Sequence, residues 1–261
     1  LQTFKGPIYH TARWPQNQVD FSDQRVGVIG NGSSGLQIIP QLAPQVKQLV
    51  VFQRTAQYAV PSRNRPLDPQ EVTEIKADYP GFRARNRQQS SAQLSNVETC
   101  QQSALSVSPT ERQQLYQASW QQGGFVFYAT FNDLMRNQQS NQTAAEFIRT
   151  KIGQIVNDPQ RAKLLSPQHV MGCKRPALEN GYFETFNRPN VDLVDISANP
   201  IQSISPSAIR LQDQEYPLQT IVMATGFDAM TGALMKIDIC GLNRLSLKQK
   251  WSTGPHNYLG L

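Results

Sequence analysis

The chain has 261 residues, of which 39% are hydrophobic and 17% charged, a composition that supports a folded core and excludes an intrinsically disordered protein. Its net charge of +6 is spread out, without a long basic run or an aromatic–basic repeat, so we expect no nucleic-acid partner. The three cysteines and three histidines stand in no disulfide or metal-binding pattern, and no apolar run reaches the roughly 18 residues of a membrane span. We therefore expect a cytoplasmic protein that binds neither metal nor membrane.

Residues 1–21 are predicted to form a linker. Gly6, Pro7 and Pro15 interrupt any regular pattern, and no apolar segment of the signal-peptide kind is present. Because the sequence begins with Leu1 rather than Met, we also expect it to be a segment of a longer polypeptide.

A βαβ unit is predicted next. The run Arg25–Ile29 is typical of a buried strand and leads directly into a glycine-rich loop. Apolar residues then recur at helical spacing over Leu36–Leu42, and Pro44 ends the predicted helix. Gln48–Gln53 is a second apolar strand, so the segment predicts two neighbouring strands of a parallel sheet.

The middle of the chain is predicted to be mainly helical. Glutamine and asparagine become dense there, alternating patterns are scarce, and Phe147, Ile148, Ile152 and Ile155 recur at helical intervals. We assign residues 67–176 to a helical domain.

Strand patterns return after Pro176, at Val191–Val194, Ala208–Leu211 and Thr220–Ala224. The predicted fold class is therefore α/β: a Rossmann-like domain formed by residues 22–66 plus 177–225, split by the helical insertion.

The sharpest motif is the GxGxxG loop at Gly30, Gly32 and Gly35. The first glycine permits a tight turn, the second lets the backbone approach a pyrophosphate, and the third allows close packing of the helix. The helix N-terminus offers free N–H groups to phosphates, and Ser33 and Ser34 can add hydroxyl donors. A dinucleotide site is predicted; the alternative is a glycine-rich turn with a packing role only.

The end of the second strand predicts which dinucleotide binds. An NAD site would place Asp or Glu there for the ribose hydroxyl, whereas this sequence has Gln53-Arg54-Thr55. Arg54 offers a planar fork to a 2′-phosphate and Thr55 a further hydroxyl, which favours NADP. The alternative is that Arg54 is a solvated surface arginine.

A short string upstream adds a resemblance. Phe4, Gly6, His10, Trp14 and Pro15 match the F-x-G-x-x-x-H-x-x-x-W-P fingerprint, and the chain resembles type I Baeyer–Villiger monooxygenases. Further similar segments extend to about residue 229: Gln53–Thr55 with Val60-Pro61, Trp120–Phe125, Cys173–Pro176, Gly181–Val191 and Ala224–Ala229.

The resemblance implies roles for individual residues. Arg175 matches the active-site arginine that stabilises the negatively charged flavin peroxide, and a guanidinium suits that task because it stays protonated. Lys174 matches a residue that pairs with the 2′-phosphate, and Gln37 matches a cofactor contact. His10, the fingerprint histidine, is the second catalytic candidate. From the residues alone, His10 would be read as a structural histidine and Lys174-Arg175 as an exposed basic pair.

The activity that the resemblance implies is a reaction dependent on FAD and NADPH. One oxygen atom of O2 is inserted next to the carbonyl of a small ketone, which gives an ester or lactone. The family's FAD-binding glycine motif is expected upstream of Leu1, and residues 226–261 are expected to begin the returning FAD domain. The ketone and the oligomeric state are not indicated.

Two alternatives stay open. One is a flavin monooxygenase that oxidises nitrogen or sulfur, whose fingerprint ends differently from Trp14-Pro15. The other is that the chain by itself is an NADP-binding module without catalysis, since half of the FAD site is expected to lie outside it.

Overall fold

The computed structural model describes residues 3–88, 100–229 and 231–258. It divides into two compact units, Leu1–Thr225 and Gly226–Leu261, and each is described by itself.

The described residues of the first unit, 3–88 and 100–225, form ten strands. They are β1 (Ile8–His10), β2 (Arg25–Ile29), β3 (Gln48–Gln53), β4 (Ala59–Pro61), β5 (Ala177–Glu179), β6 (Val191–Asp195), β7 (Ser203–Ile204), β8 (Ala208–Arg210), β9 (Glu215–Pro217) and β10 (Thr220–Met223). Its helices are α1 (Ser33–Leu42), α2 (Pro69–Ala77), α3 (Tyr79–Gln88), α4 (Pro109–Gln122), α5 (Gln138–Ile155), α6 (Pro159–Leu165) and α7 (Tyr182–Thr185), with 3₁₀ turns at Thr11–Arg13 and Gly124–Ala129.

A five-stranded parallel sheet forms the centre of this unit, in the order β1-β10-β2-β3-β6. The register aligns His10, Met223, Ile29 and Phe52, so the carboxyl ends of these strands lie at one edge of the sheet. In open parallel sheets this is the edge at which ligands bind.

Both faces of the sheet are covered. Alternate strand residues such as Val28 and Val51 point to the side that packs with α1. Their neighbours Val50 and Phe52 pack against the antiparallel sheet β7-β8-β9 through Ile209 and other apolar residues. Burial on both faces explains why these strands read as continuous apolar runs.

The insertion is helical, with a core of aromatic side chains. Tyr116, Trp120, Phe127 and Phe147 are buried, and their ring centroids lie 5.4 to 6.1 Å apart in the contacting pairs. The chain enters this region through β4 and returns through β5, and these two strands pair in parallel. The fold class predicted from the sequence is therefore confirmed; residues 89–99 of the predicted helical region lie outside the described residues.

The linker prediction is wrong for Ile8–His10, which forms the edge strand β1. Three residues are too few to show a periodic pattern, and Pro7 stands just before the strand, a position that proline tolerates. The Pro7 carbonyl accepts a hydrogen bond from the Ile221 amide at 3.1 Å.

In the second unit, residues 226–229 and 231–258 form two short helices, α8 (Gly232–Met235) and α9 (Leu247–Lys250), and a 3₁₀ turn at Leu242–Arg244. Ser246 caps α9, and the Trp251 indole donates a hydrogen bond to the His256 carbonyl at 2.8 Å. Across the described part of the chain, every helix is too short or too polar to span a bilayer.

Candidate nucleotide-binding site

The turn between β2 and α1 depends on two glycines. Gly30 has a φ of +101°, and a Cβ there would lie 2.5 Å from the Ala224 carbonyl oxygen. A Cβ on Gly35 would lie 2.5 Å from the Gly30 carbonyl oxygen. These positions are closed to larger residues by the backbone itself, because both contacts are with main-chain atoms.

Gly32 differs from these two glycines. A Cβ there would meet no atom within 4 Å, so the fold does not require a glycine. Gly32 heads α1, and no side chain caps this helix end. Ser33 is exposed and Ser34 partly exposed beside it. An uncapped helix N-terminus under an open glycine is a site to which a phosphate group can come close.

The sequence-predicted cations come together at the end of β3. Arg54 and Thr55 directly follow this strand and lead into β4. Lys174 and Arg175 lead into β5, and β5 pairs with β4. The Gln57 side chain donates a hydrogen bond to the Arg175 carbonyl at 2.7 Å, which ties Lys174 and Arg175 to the same loop. All three basic side chains are exposed.

Arg54 and Lys174 lie close enough for their charges to interact. The pKa of Lys174 is lowered by partial burial and by the positive charge of Arg54. Among the described residues, neither side chain forms an ion pair with a carboxylate. Two adjacent cations without an acidic partner repel each other, and a bound dianion such as a phosphate relieves that repulsion.

His169 lies near this pair. Its pKa is lowered by burial and by the positive charge of Lys174, so the ring is neutral at neutral pH. The ring packs edge-on against Tyr58, with centroids 5.0 Å apart. Within the described ranges neither ring nitrogen finds a hydrogen-bond partner. His169 stands in no recognisable sequence motif, so the sequence did not indicate that it lies near Tyr58 and Lys174.

His10 stands at the carboxyl end of β1, two strands away from β2. Its Nδ1 accepts a hydrogen bond from the Ala12 amide at 3.1 Å and thereby caps the 3₁₀ turn Thr11–Arg13. A neutral ring in this arrangement carries its proton on Nε2. The structure therefore gives His10 a structural contact at the same sheet edge as the glycine loop.

Ser34 and Gln37 face a different feature. They line a cavity of about 690 Å³ between α1 and the segment that follows β1, together with the fingerprint residues Trp14 and Pro15. The Trp14 ring lies 5.5 Å from that of Tyr9. Gln37 is exposed on the second turn of α1 and is not brought to the Arg54–Lys174 pair by any described contact.

A buried pair of amides at the loop was also missed from the sequence. Asn31 donates a hydrogen bond to the Gln53 side chain at 2.7 Å, and Gln53 donates one to the Leu164 carbonyl at 2.7 Å. Asn31 and Gln53 are only 6% and 3% exposed. Both residues stand in the quoted motifs, but no sequence pattern indicated that they meet.

Comparison with known proteins shows extended similarity. No protein-family model matches the chain. A Baeyer–Villiger monooxygenase of Pseudooceanicola batsensis and a cyclohexanone 1,2-monooxygenase of Acinetobacter are each 42% identical over 264 aligned residues, with 100% of this chain and 48% of the relative covered. A phenazine N-monooxygenase of Lysobacter antibioticus is 38% identical, with 99% of this chain and 48% of the relative covered. The chain spans about half the length of the curated relatives it matches.

Solved structures agree with these relatives. An oxidised steroid monooxygenase bound to NADP is 46% identical with a TM-score of 0.90, and 100% of this chain covers 50% of it. OTEMO in complex with FAD and NADP is 39% identical with a TM-score of 0.94, and 100% of this chain covers 49% of it. The chain therefore belongs to the Baeyer–Villiger monooxygenase family.

Proposed function

We propose that this chain is the NADP-binding part of a monooxygenase that depends on FAD and NADPH. The complete enzyme inserts one oxygen atom of O2 beside the carbonyl of a small ketone and forms an ester or lactone. Relatives named for cyclohexanone, cyclopentanone and acetone support a small ketone as substrate. The free cysteines of the described chain fit a reducing compartment, which supports a cytoplasmic location.

The observation that carries the proposal is the Arg54–Lys174 pair, which has no carboxylate partner among the described residues. Arg54 follows β3, the strand next to the one that ends in the open glycine loop. The loop would take the pyrophosphate, through Gly30, Gly32, Ser33, Ser34 and Gly35. The 2′-phosphate would lie between Arg54, Thr55 and Lys174. Gln37 is kept as a proposed contact on the basis of the family resemblance.

The chemistry is divided between cofactor and protein. The flavin, when bound, supplies the reaction with O2. The residues of this chain bind and orient the nicotinamide nucleotide, and the exposed Arg175 guanidinium stabilises negative charge that develops during oxygen transfer. His10, whose Nδ1 is engaged by Ala12, can donate a hydrogen bond only from Nε2.

Oxidation of nitrogen is the second candidate function. The similarity to a phenazine N-monooxygenase over nearly the whole chain favours it. Products distinguish the two: the full-length enzyme would be incubated with NADPH, O2 and either cyclohexanone or a tertiary amine. We expect caprolactone from the ketone. Formation of N-oxide with no ester or lactone would reject the ketone assignment.

Arg175 provides the test of mechanism. We expect Arg175→Ala to lower the rate of lactone formation by roughly 100- to 1000-fold, because a charge-stabilising donor is lost, with little change in NADP+ affinity. Arg210→Ala is the matched control, since Arg210 is a surface residue paired with Glu215 at 3.1 Å. Equal rates of lactone formation in both variants would contradict a catalytic role for Arg175.

A further inference from the structure

The buried amides at the glycine loop form a continuous connection across three parts of the fold. Asn31 lies in the loop between β2 and α1, Gln53 ends β3, and Leu164 is near the end of α6 in the helical region. Two hydrogen bonds of 2.7 Å join them in series through the Gln53 side chain.

The geometry determines the orientation of the Gln53 amide. Its oxygen accepts from Asn31 and its nitrogen donates to a main-chain carbonyl, so a rotated amide would place oxygen against oxygen. The Gln53 carbonyl also accepts a hydrogen bond from the Ile196 amide at 2.8 Å. Gln53 is thus held at its main chain and at both atoms of its amide group.

Burial makes these contacts important for the position of the loop. An amide that loses its partner in a water-free site keeps the full cost of desolvation. The loop therefore has one favoured place relative to β3. In this position Gly32 and the uncapped N-terminus of α1 lie at the same edge of the sheet as Arg54, the residue that follows Gln53.

We propose that Gln53 is a positioning residue that holds the glycine loop, through Asn31, in the conformation that receives the pyrophosphate, and that it ties this loop to α6. The inference rests on the proposed NADP binding. Gln53 itself is only 3% exposed, so its side chain has almost no surface to offer a bound nucleotide. It therefore acts on the loop, whereas Arg54 acts on the 2′-phosphate.

The test uses the full-length enzyme and two probes. NADP+ needs both the loop and the cations, whereas adenosine 2′-phosphate lacks the pyrophosphate and needs only the cations. Titrations would compare Gln53→Leu, Asn31→Ala and the double variant with wild type. The control is Gln48→Leu, which removes a side-chain hydrogen bond of 2.7 Å to Asp192 at the opposite end of the same strand.

We expect Gln53→Leu and Asn31→Ala each to raise the Kd for NADP+ by roughly five- to thirtyfold, the range for a lost buried hydrogen bond. The double variant should be no weaker than the worse single variant, because both changes break the same connection. The Kd for adenosine 2′-phosphate should stay within about twofold, and Gln48→Leu should bind both probes like wild type.

Two results would overturn the inference: an unchanged NADP+ affinity in Asn31→Ala and Gln53→Leu, or additive losses in the double variant. Should Gln53→Leu fail to fold, Asn31→Ala alone still decides, since it changes only the loop end. Failure of the proposed function looks different, because wild type itself would then bind no NADP+.

Discussion

At the scale of single residues, the candidate phosphate site is indicated by two positive charges that lie close to each other. Arg54 and Lys174 are exposed side chains that could each be ordinary surface cations. Their proximity, which lowers the pKa of Lys174, and their lack of an acidic partner in the described structure make them a candidate phosphate site.

We predict that Arg54→Ala lowers the preference for NADPH over NADH by roughly 10- to 150-fold, because a charge-assisted hydrogen bond is worth about 1.5–3 kcal/mol. The preference of Arg54→Lys should lie between those of wild type and Arg54→Ala, since lysine keeps the charge but lacks the planar guanidinium. The measurement is kcat/KM with both nucleotides, with Arg65→Ala as the surface control. An unchanged preference in Arg54→Ala would contradict the phosphate assignment.

At the scale of elements, the turn from β2 to α1 combines two requirements in one short loop. A Cβ on Gly30 or Gly35 would clash with main-chain atoms, whereas a Cβ on Gly32 would face open space. The fold therefore explains two of the three glycines. The third is explained by a ligand that approaches the backbone, as the dinucleotide motif requires.

We expect Gly32→Ala to fold normally and yet to raise the Kd for NADP+ by roughly tenfold or more, about 1.4 kcal/mol, because the new methyl group meets the pyrophosphate. Gly30→Ala should instead destabilise the fold by roughly 1–3 kcal/mol from its positive φ alone. Urea unfolding and NADP+ titration of both variants separate these effects. If Gly32→Ala were destabilised but bound NADP+ with normal affinity, Gly32 would serve the fold and not the ligand.

At the scale of the whole molecule, parallel pairing of β4 and β5 assembles the site. The chain leaves the central sheet region through β4 and returns through β5, and Gln57 bonds to the Arg175 carbonyl across a separation of 118 residues. This arrangement brings the charge of Lys174 within range of Arg54. In the proposed site, the return from the helical region thus supplies Lys174 to the nucleotide.

We predict that the chain expressed by itself binds NADP+ but not FAD tightly, because its sequence holds one GxGxxG loop and the chain spans about half of its relatives. Fluorescence titration with each cofactor measures this. Stoichiometric binding of FAD, with oxidation of NADPH, would show that the chain is a complete catalyst.

Local sequence patterns are sufficient to predict the unit from β2 to β3. Strand, loop, helix and strand are encoded locally, by apolar periods, three glycines and Pro44, so short-range patterns were sufficient. The same holds for the family, because the fingerprint from Phe4 to Pro15 is contiguous. Arg54 was selected from its place after an apolar strand.

Other features of the fold and of the candidate site depend on contacts between distant parts of the chain. The edge strand β1 exists because β10 pairs with it, and three residues carry no period that would predict it. Gln53 bonds to the Leu164 carbonyl over a separation of 111 residues, and the charge of Lys174 comes within range of Arg54 where β5 returns to pair with β4. Such contacts depend on packing of distant elements. Contiguous motifs therefore indicated the nucleotide and the family, while packing of distant elements brought together the side chains proposed to position it.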